Sequence, residues 1–146
     1  MKIHRNLISI FLVISVFFSL MSPAYAVDFD NYNSARSSAY INAVWASASG
    51  DIGSVKVSFD ITATGKMSSL GATIIEIKDS SGTTVRTFKS SSTGGLMGSN
   101  ATYYSSSKTW YGATSGCKYY AVVYFKASDS SGYDTTSYTT GYCTAR

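Results

Sequence analysis

The chain has two cysteines, Cys117 and Cys143, and their oxidation to a disulfide is the clearest chemistry that its residue types offer. Cys117 begins an alternating apolar run, Cys143 ends a Tyr- and Thr-rich run, and the turn sequence Asp129-Ser-Ser-Gly132 lies between them. Facing residues of an antiparallel pair have a constant index sum, and a sum of 260 puts the midpoint inside that turn. We therefore expect one disulfide across this C-terminal hairpin, worth on the order of 3 kcal/mol. The alternative is two reduced, inert thiols.

Residue types that serve catalysis are scarce. His4 is the only histidine, and Glu76 is the only glutamate. Ser105 and Lys108 match the S-x-x-K pattern of penicillin-binding enzymes. In a strand, however, positions i and i+3 point to opposite faces, so this lysine would not reach the serine. Without paired carboxylates or Cys/His clusters, we expect no enzyme activity, no cofactor and no metal site.

The N-terminal segment has the layout of a secretory signal peptide. Lys2 and Arg5 precede the apolar run 7–20, and an A-x-A pattern ends at Ala26. The apolar run is shorter than the ~20 residues that span a bilayer, so cleavage of residues 1–26 is expected in preference to an uncleaved anchor. Loss of Lys2 and Arg5 lowers the formal net charge from +4 to +2. The signal peptide predicts a secreted or cell-envelope-associated protein. The remaining basic residues are scattered, so we expect no nucleic-acid partner and no membrane insertion.

Two further regions follow the signal: a flexible N-terminal arm, 27–36, and one domain, 37–146. The arm contains four oxygen donors that could hold Ca²⁺, but it lacks the turn glycine and late bidentate glutamate of calcium loops. We therefore expect a solvated arm. The four donors are Asp28, Asp30, Asn31 and Asn33.

The domain sequence predicts an all-β fold. Residues 55–63 alternate strictly between apolar and polar, as expected for a strand with one buried face, and Thr64-Gly65-Lys66 breaks the pattern. About seven such runs without a helical period favour an antiparallel β-sandwich, with a small closed barrel as the alternative. The Gly-rich segment 90–100 is expected to be a long loop anchored by Leu96 and Met97, and its Asn100 belongs to a glycosylation sequon that means nothing in a bacterial protein. The predicted strands are 38–49, 55–63, 70–78, 83–90, 101–111, 117–127 and the arm that ends at Cys143.

The C-terminal hairpin also supplies the candidate binding surface. The same index sum places Lys126 opposite Asp134, and a charged pair belongs in water, so the even-numbered face should be the outer one. Tyrosines on a rigid sheet suit a protein or glycan partner, although tyrosine is also common on ordinary strand surfaces. The predicted partner-binding surface consists of Tyr120, Tyr124, Tyr138 and Tyr142.

The run Gly116-Cys-Lys-Tyr119, followed by alternating apolar residues, resembles the tyrosine-corner strand of immunoglobulin- and fibronectin type III-like sandwiches. In antibody domains, unlike here, the disulfide bridges the two sheets. The segments 97–100, 103–104, 118–123 and 131–135 also resemble an uncharacterised family of small secreted proteins of Gram-positive bacteria. This resemblance implies a secreted, immunoglobulin-like sandwich from a bacterium, and it carries over no catalytic residue and no ligand.

The sequence thus predicts a secreted, non-enzymatic β-sandwich module that binds a cell-envelope, glycan or protein partner at the cell surface. The alternative is a secreted antimicrobial or toxin-like protein. Its modest charge and the absence of an amphipathic segment argue against membrane attack.

Overall fold

A computed structural model describes residues 38–146, and all regular elements in this part of the chain are β-strands. The predictions for the signal peptide and the N-terminal arm lie outside the described residues. Within 38–146, no helix is long and apolar enough to cross a membrane. The strands are β1 (Ile41–Asp51), β2 (Ser54–Met67), β3 (Ser69–Asp79), β4 (Thr84–Lys89), β5 (Met97–Gly98), β6 (Ala101–Tyr111), β7 (Lys118–Ser128), β8 (Tyr133–Thr139) and β9 (Cys143–Thr144).

The strands form two antiparallel sheets, which confirms the all-β prediction. Sheet A has the order β1-β2-β6, and sheet B has the order β4-β3-β7-β8, with β5 paired to β3 and β9 paired to β7. The two sheets share one core, because Phe59 of β2 meets Phe125 of β7 edge to face with ring centroids 5.8 Å apart. Trp110 of β6 and Tyr119 of β7 make a second such contact at 5.5 Å. The arrangement is sandwich-like.

The core follows from the alternation seen in the sequence. Val55, Val57, Phe59 and Ile61 are at most 1% exposed, while the residues between them face water or are half-buried. Each such side chain contributes roughly 1.5–3 kcal/mol of transfer free energy when it is buried. The break predicted at residues 64–66 is wrong, because β2 continues through an irregular register to Met67.

The Gly-rich loop between β4 and β6 is fastened to both sheets. Leu96 is fully buried, and its carbonyl accepts a hydrogen bond from the Ala72 amide at 2.8 Å. Ser106 Oγ donates to the Gly95 carbonyl at 2.6 Å, and Lys108 Nζ donates to the Gly94 carbonyl at 2.5 Å. The predicted anchor at Leu96 is confirmed, and Lys108 is engaged by this loop.

The predicted disulfide is wrong, because Cys117 and Cys143 are both free. Their positions along the hairpin explain it: Cys143 lies opposite Tyr119, and the carbonyl of Cys117 accepts the amide of Ala145 at 3.1 Å. The two cysteines are therefore diagonal neighbours, for which a separation of ~7–8 Å is usual, beyond the reach of an S–S bond.

The register between β7 and the return arm shifts by one residue between Thr140 and Cys143. The amide of Thr140 donates to the carbonyl of Ala121, an index sum of 261, whereas Cys143 and Tyr119 sum to 262. Gly141 and Tyr142 together therefore oppose Tyr120, which is the two-against-one arrangement of a β-bulge. A bulge in the return arm is not encoded by any periodic pattern, so the alternation alone could not reveal it.

We expect the native protein to have two thiols that react with a thiol reagent, and to unfold at the same temperature with and without reductant. Cys117 is exposed and should react quickly with a thiol reagent. Burial raises the pKa of the half-buried Cys143 thiol, so less thiolate forms near neutral pH and its reaction should be slower, with a rate that climbs as the pH rises. Mass spectrometry of partly alkylated protein measures both rates. Two results would contradict free thiols: both cysteines becoming unreactive together under oxidising conditions, or a lower Tm after reduction.

Candidate binding face

The outer surface of sheet B is set by the register between β7 and β8. Facing residues in this pair sum to 261, so that Val123 faces Tyr138 and Ala127 faces Asp134. The cause is a four-residue loop, 129–132, in which Asp129 Oδ1 accepts the amide of Ser131 at 2.7 Å. A slip of one residue moves every side chain of a strand to the other face. The predicted pairing of Lys126 with Asp134 is therefore wrong.

Asp134 has a structural role instead. Its Oδ2 accepts hydrogen bonds from Ser38 Oγ at 2.5 Å and from the Tyr40 amide at 2.8 Å. These donors, the Ser38 hydroxyl first, lower the pKa of the Asp134 carboxyl. The carboxylate thus links β8 of sheet B to the residues just before β1 of sheet A.

The register also redistributes the predicted tyrosines. Tyr138 lies on the inner face, where it packs against the core, and does not join the others. Tyr120 and Tyr124 lie on the outer face of β7, as expected. Tyr142 joins them, because its ring meets Tyr120 edge to face at 5.2 Å. Three of the four predicted residues share one surface.

Tyr133 is the residue that sequence reasoning missed. An index sum of 261 places it opposite Ser128, on the outer face, where 65% of it is exposed. The signal that could have found it is the length of the loop: four residues between Ser128 and Tyr133 give an odd sum. We use the name tyrosine face for the outer surface of sheet B that carries Tyr120, Tyr124, Tyr133 and Tyr142.

The tyrosine face is a line more than a patch. Tyr120 and Tyr142 lie near one end of β7, and Tyr124 follows four residues further along the strand. Tyr133 lies beside the other end, at Ser128. Eight residues of strand separate positions 120 and 128, which corresponds to roughly 27 Å. Beside the rings runs a row of hydroxyl groups on β8, from Thr135, Ser137 and Thr139.

The charges of this face are mostly positive. By their register with the outward-facing residues of β7, the outer positions of β3 and β4 include Lys78 and Lys89, and β7 itself adds Lys118 and Lys126. Glu76 is the one carboxylate among these outer positions of the described strands, and it lies 3.3 Å from Lys78 Nζ. Lys126 Nζ lies 4.9 Å above the ring of Tyr133. An anion that approaches the face therefore meets an excess of ammonium groups.

A cleft of about 750 Å³ opens beside the Tyr120 end of the face. The turn after β3, the end of β6 and the segment before β7 form its walls, with Asp79, Trp110 and Lys118 among them. Hydrogen bonds from Ser81 and Thr83 lower the pKa of the Asp79 carboxyl, so it stays ionised at neutral pH. Its Oδ1 already accepts three hydrogen bonds within the turn, which gives the carboxylate a structural role.

The described residues contain no group of three or more His, Cys, Asp or Glu side chains placed to hold a metal ion. What the arrangement offers is stacking surface, hydroxyl groups and positive charge on a rigid sheet. Comparisons with protein-family models, with curated proteins and with solved structures found no match.

Proposed function

We propose that the chain is an exported, non-enzymatic binding module whose tyrosine face holds an anionic glycan of the cell envelope. The observation that carries the proposal is the coincidence of four tyrosines and four lysines, with one carboxylate, along one face of sheet B. Tyrosine rings offer a flat apolar surface with a polar tip, which suits the C–H face of a sugar ring. The ammonium groups favour a ligand that carries negative charge.

An immunoglobulin- or fibronectin type III-like fold is part of the same proposal. Two observations support it: the division of the seven long strands into β1-β2-β6 and β4-β3-β7-β8, and the contacts of Tyr119. Tyr119 is 5% exposed, and its hydroxyl accepts the amide of Thr114 at 3.0 Å. A hydrogen bond to the backbone a few residues upstream is what a tyrosine corner makes in such domains.

The shape of the face favours an extended polymer over a globular partner. Stable protein interfaces are compact patches that bury about 800 Å² on each side around a central cluster of anchors. The rings of the tyrosine face are instead spread along roughly 27 Å of strand, and a parallel row of hydroxyl groups lies on the same face. Rings four strand residues apart, roughly 13 Å, suit a polymer that meets them at intervals along its length.

We expect the combined variant Tyr120→Ser, Tyr124→Ser and Tyr133→Ser to bind an anionic cell-envelope polysaccharide at least about tenfold more weakly, because each lost ring contact is worth ~0.5–1.5 kcal/mol. Binding is measured by affinity electrophoresis or calorimetry, and circular dichroism verifies the fold. The matched control is Trp45→Ser, which removes an aromatic side chain of similar exposure (46%) from the outer face of sheet A. The control should bind as the native protein does.

The same measurement separates the two contributions to the proposal. Added salt should weaken native binding, and Lys118→Gln with Lys126→Gln should reduce that salt dependence while leaving the rings in place. Unchanged binding of the triple serine variant would disprove the assignment to the tyrosine face. Equal affinity for a neutral and an anionic polysaccharide would disprove the charge preference alone.

A further inference from the structure

Strand β6 forms an edge of sheet A over its full eleven residues. It pairs with β2 on one side, and among the described residues no other strand pairs with it. The loop that crosses this region touches β6 through the side chains of Ser106 and Lys108, which donate to loop carbonyls. Within residues 38–146, no backbone group pairs with the free edge of β6.

The register tells which backbone groups face outward. The amide of Gly112 donates to the carbonyl of Gly53, so the even-numbered residues of β6 point their N–H and C=O groups toward β2. The odd-numbered residues point theirs away from the sheet. They also carry their side chains on the outer, solvent-facing side of sheet A, opposite polar residues of β2. Ala101 lies beyond a shift in the register with β2, so the regular part of the strand has five such residues. They are Tyr103, Ser105, Ser107, Thr109 and Tyr111.

Two other edges, those of β1 and β4, carry the protections that monomeric proteins use. The β1 edge is tied down at one end by Asp134 and at the other by the chain terminus, where the Arg146 amide donates to the Asp51 carbonyl. β4 has only six residues, of which Arg86 and Lys89 are charged. Short length, charge and covering are the devices that prevent pairing at an edge.

β6 has none of these protections. It contains no proline, and its single charged side chain is Lys108, whose ammonium group is bound to the Gly94 carbonyl. In the described part of the chain, five amides and five carbonyls of β6 have no backbone partner, and every residue of the strand is exposed or half-exposed. Such an edge is a template for another strand.

We propose that β6 pairs with β6 of a second copy of this chain, antiparallel and about a two-fold axis at Ser107, so that two copies of sheet A join into one six-stranded sheet. In an antiparallel ladder, two residues form a hydrogen-bonded (narrow) pair only when the N–H and C=O groups of each point toward the other strand. The pairing must therefore match the five residues whose backbone groups point away from β2. An index sum of 214 does this for all five: Tyr103 meets Tyr111 of the second copy, Ser105 meets Thr109, and Ser107 meets Ser107. Every N–H and C=O group of these five residues then has a partner in the second copy.

The composition of β6 is self-complementary in this register. Aromatic pairs and hydroxyl pairs across strands are both favourable, and the register supplies two tyrosine pairs and three hydroxyl pairs. Lys108 would lie opposite Ser106, so the two ammonium groups do not face each other. A foreign strand would gain the same backbone bonds, but nothing in β6 selects its side chains.

The test is the oligomeric state of the purified full chain over a range of concentrations, by sedimentation or light scattering. The native protein should form a dimer, and Ser107→Lys should raise its dissociation constant roughly fivefold or more, because two ammonium groups then meet at the axis. Ser47→Lys is the matched control: it lies in the same row of the outer face of sheet A, on β1, and should leave the dimer intact. Mixing the Ser107→Lys and Ser107→Glu variants should restore dimerisation.

A cross-link tests the register independently of affinity. In a background of Cys117→Ser and Cys143→Ser, a Ser107→Cys variant should form a covalent dimer on mild oxidation, since narrow pairs hold Cα atoms ~5.5 Å apart. A Ser47→Cys variant in that background should not. A native protein that stays monomeric at its highest soluble concentration would overturn the proposal and leave the edge to a strand of another protein. A dimer that ignores Ser107→Lys and fails to cross-link would overturn it in favour of another face.

Discussion

Replacement of Phe125 by alanine is expected to lower the free energy of unfolding by about 3–5 kcal/mol, a large share of the stability of a domain of this size. Phe125 is fully buried at the middle of β7, the strand that pairs with both β3 and β8. Its ring also meets Phe59 edge to face across the two sheets. The substitution therefore removes packing within sheet B and between the sheets, and leaves a cavity that rigid strands cannot collapse to fill.

Urea unfolding followed by circular dichroism measures this loss, and thermal unfolding should show Tm lowered by ~12 °C or more. The matched control is Val122→Ala, three residues away on the same strand but on the half-exposed outer face. It should cost less than about 1 kcal/mol because it opens no cavity. Similar losses for the two variants would mean that β7 does not separate a buried face from an outer one.

The fold was accessible to sequence reasoning wherever alternation was strict. The odd-numbered residues of β2 from Val55 to Ile61 and those of β7 are buried, as their period of two requires. In these strands one face is wholly apolar, so a shift of even one residue would expose the core. Burial then fixes which face points inward without any knowledge of the partner strand.

The errors lie where that constraint is weak. The return arm Tyr133–Thr139 is Tyr- and Thr-rich on both faces, so its composition tolerates either register. The predicted faces of this arm depend on an index sum of 260, which requires Cys117 and Cys143 to lie opposite each other. The four-residue turn and the bulge at Gly141–Tyr142 decide the matter instead, and they move Tyr138 inward and Tyr133 outward. The candidate site was therefore predicted as a face, but with one wrong member and one missing.

The edge of β6 illustrates a second limit. The pattern of residues 101–111 predicted a strand with correct ends, yet its position in the sheet depends on which strands lie beside it. Strand order is a property of long-range packing, and a single strand sequence does not encode it. That Lys108 is the single charged residue of β6 gains meaning only once the neighbours of this strand are known.

Replacement of Gly71 by alanine is expected to lower the free energy of unfolding by roughly 3 kcal/mol or more. The residue has a φ of 152°, which side-chain-bearing residues rarely adopt and which costs ~1–3 kcal/mol when they do. An added Cβ would also run into the carbonyl oxygen of Leu96 and lie 2.8 Å from the Cα of Met97. Since these atoms belong to the backbone that pairs β5 with β3, no side-chain rotation relieves the contact.

The consequence reaches beyond β3, because Gly71 lies where the Gly-rich loop is fastened. Displacing the Leu96 carbonyl breaks its hydrogen bond with the Ala72 amide and pulls Leu96 from the core. We therefore expect Gly71→Ala to lower the urea midpoint and also to increase protease cleavage within residues 90–100. Gly94→Ala is the matched control in the same loop, since a Cβ there meets nothing within 4 Å. It should leave stability unchanged or raise it by ~0.4–1 kcal/mol, because alanine restricts the unfolded chain. Equal behaviour of the two variants would show that the loop is not held through Gly71.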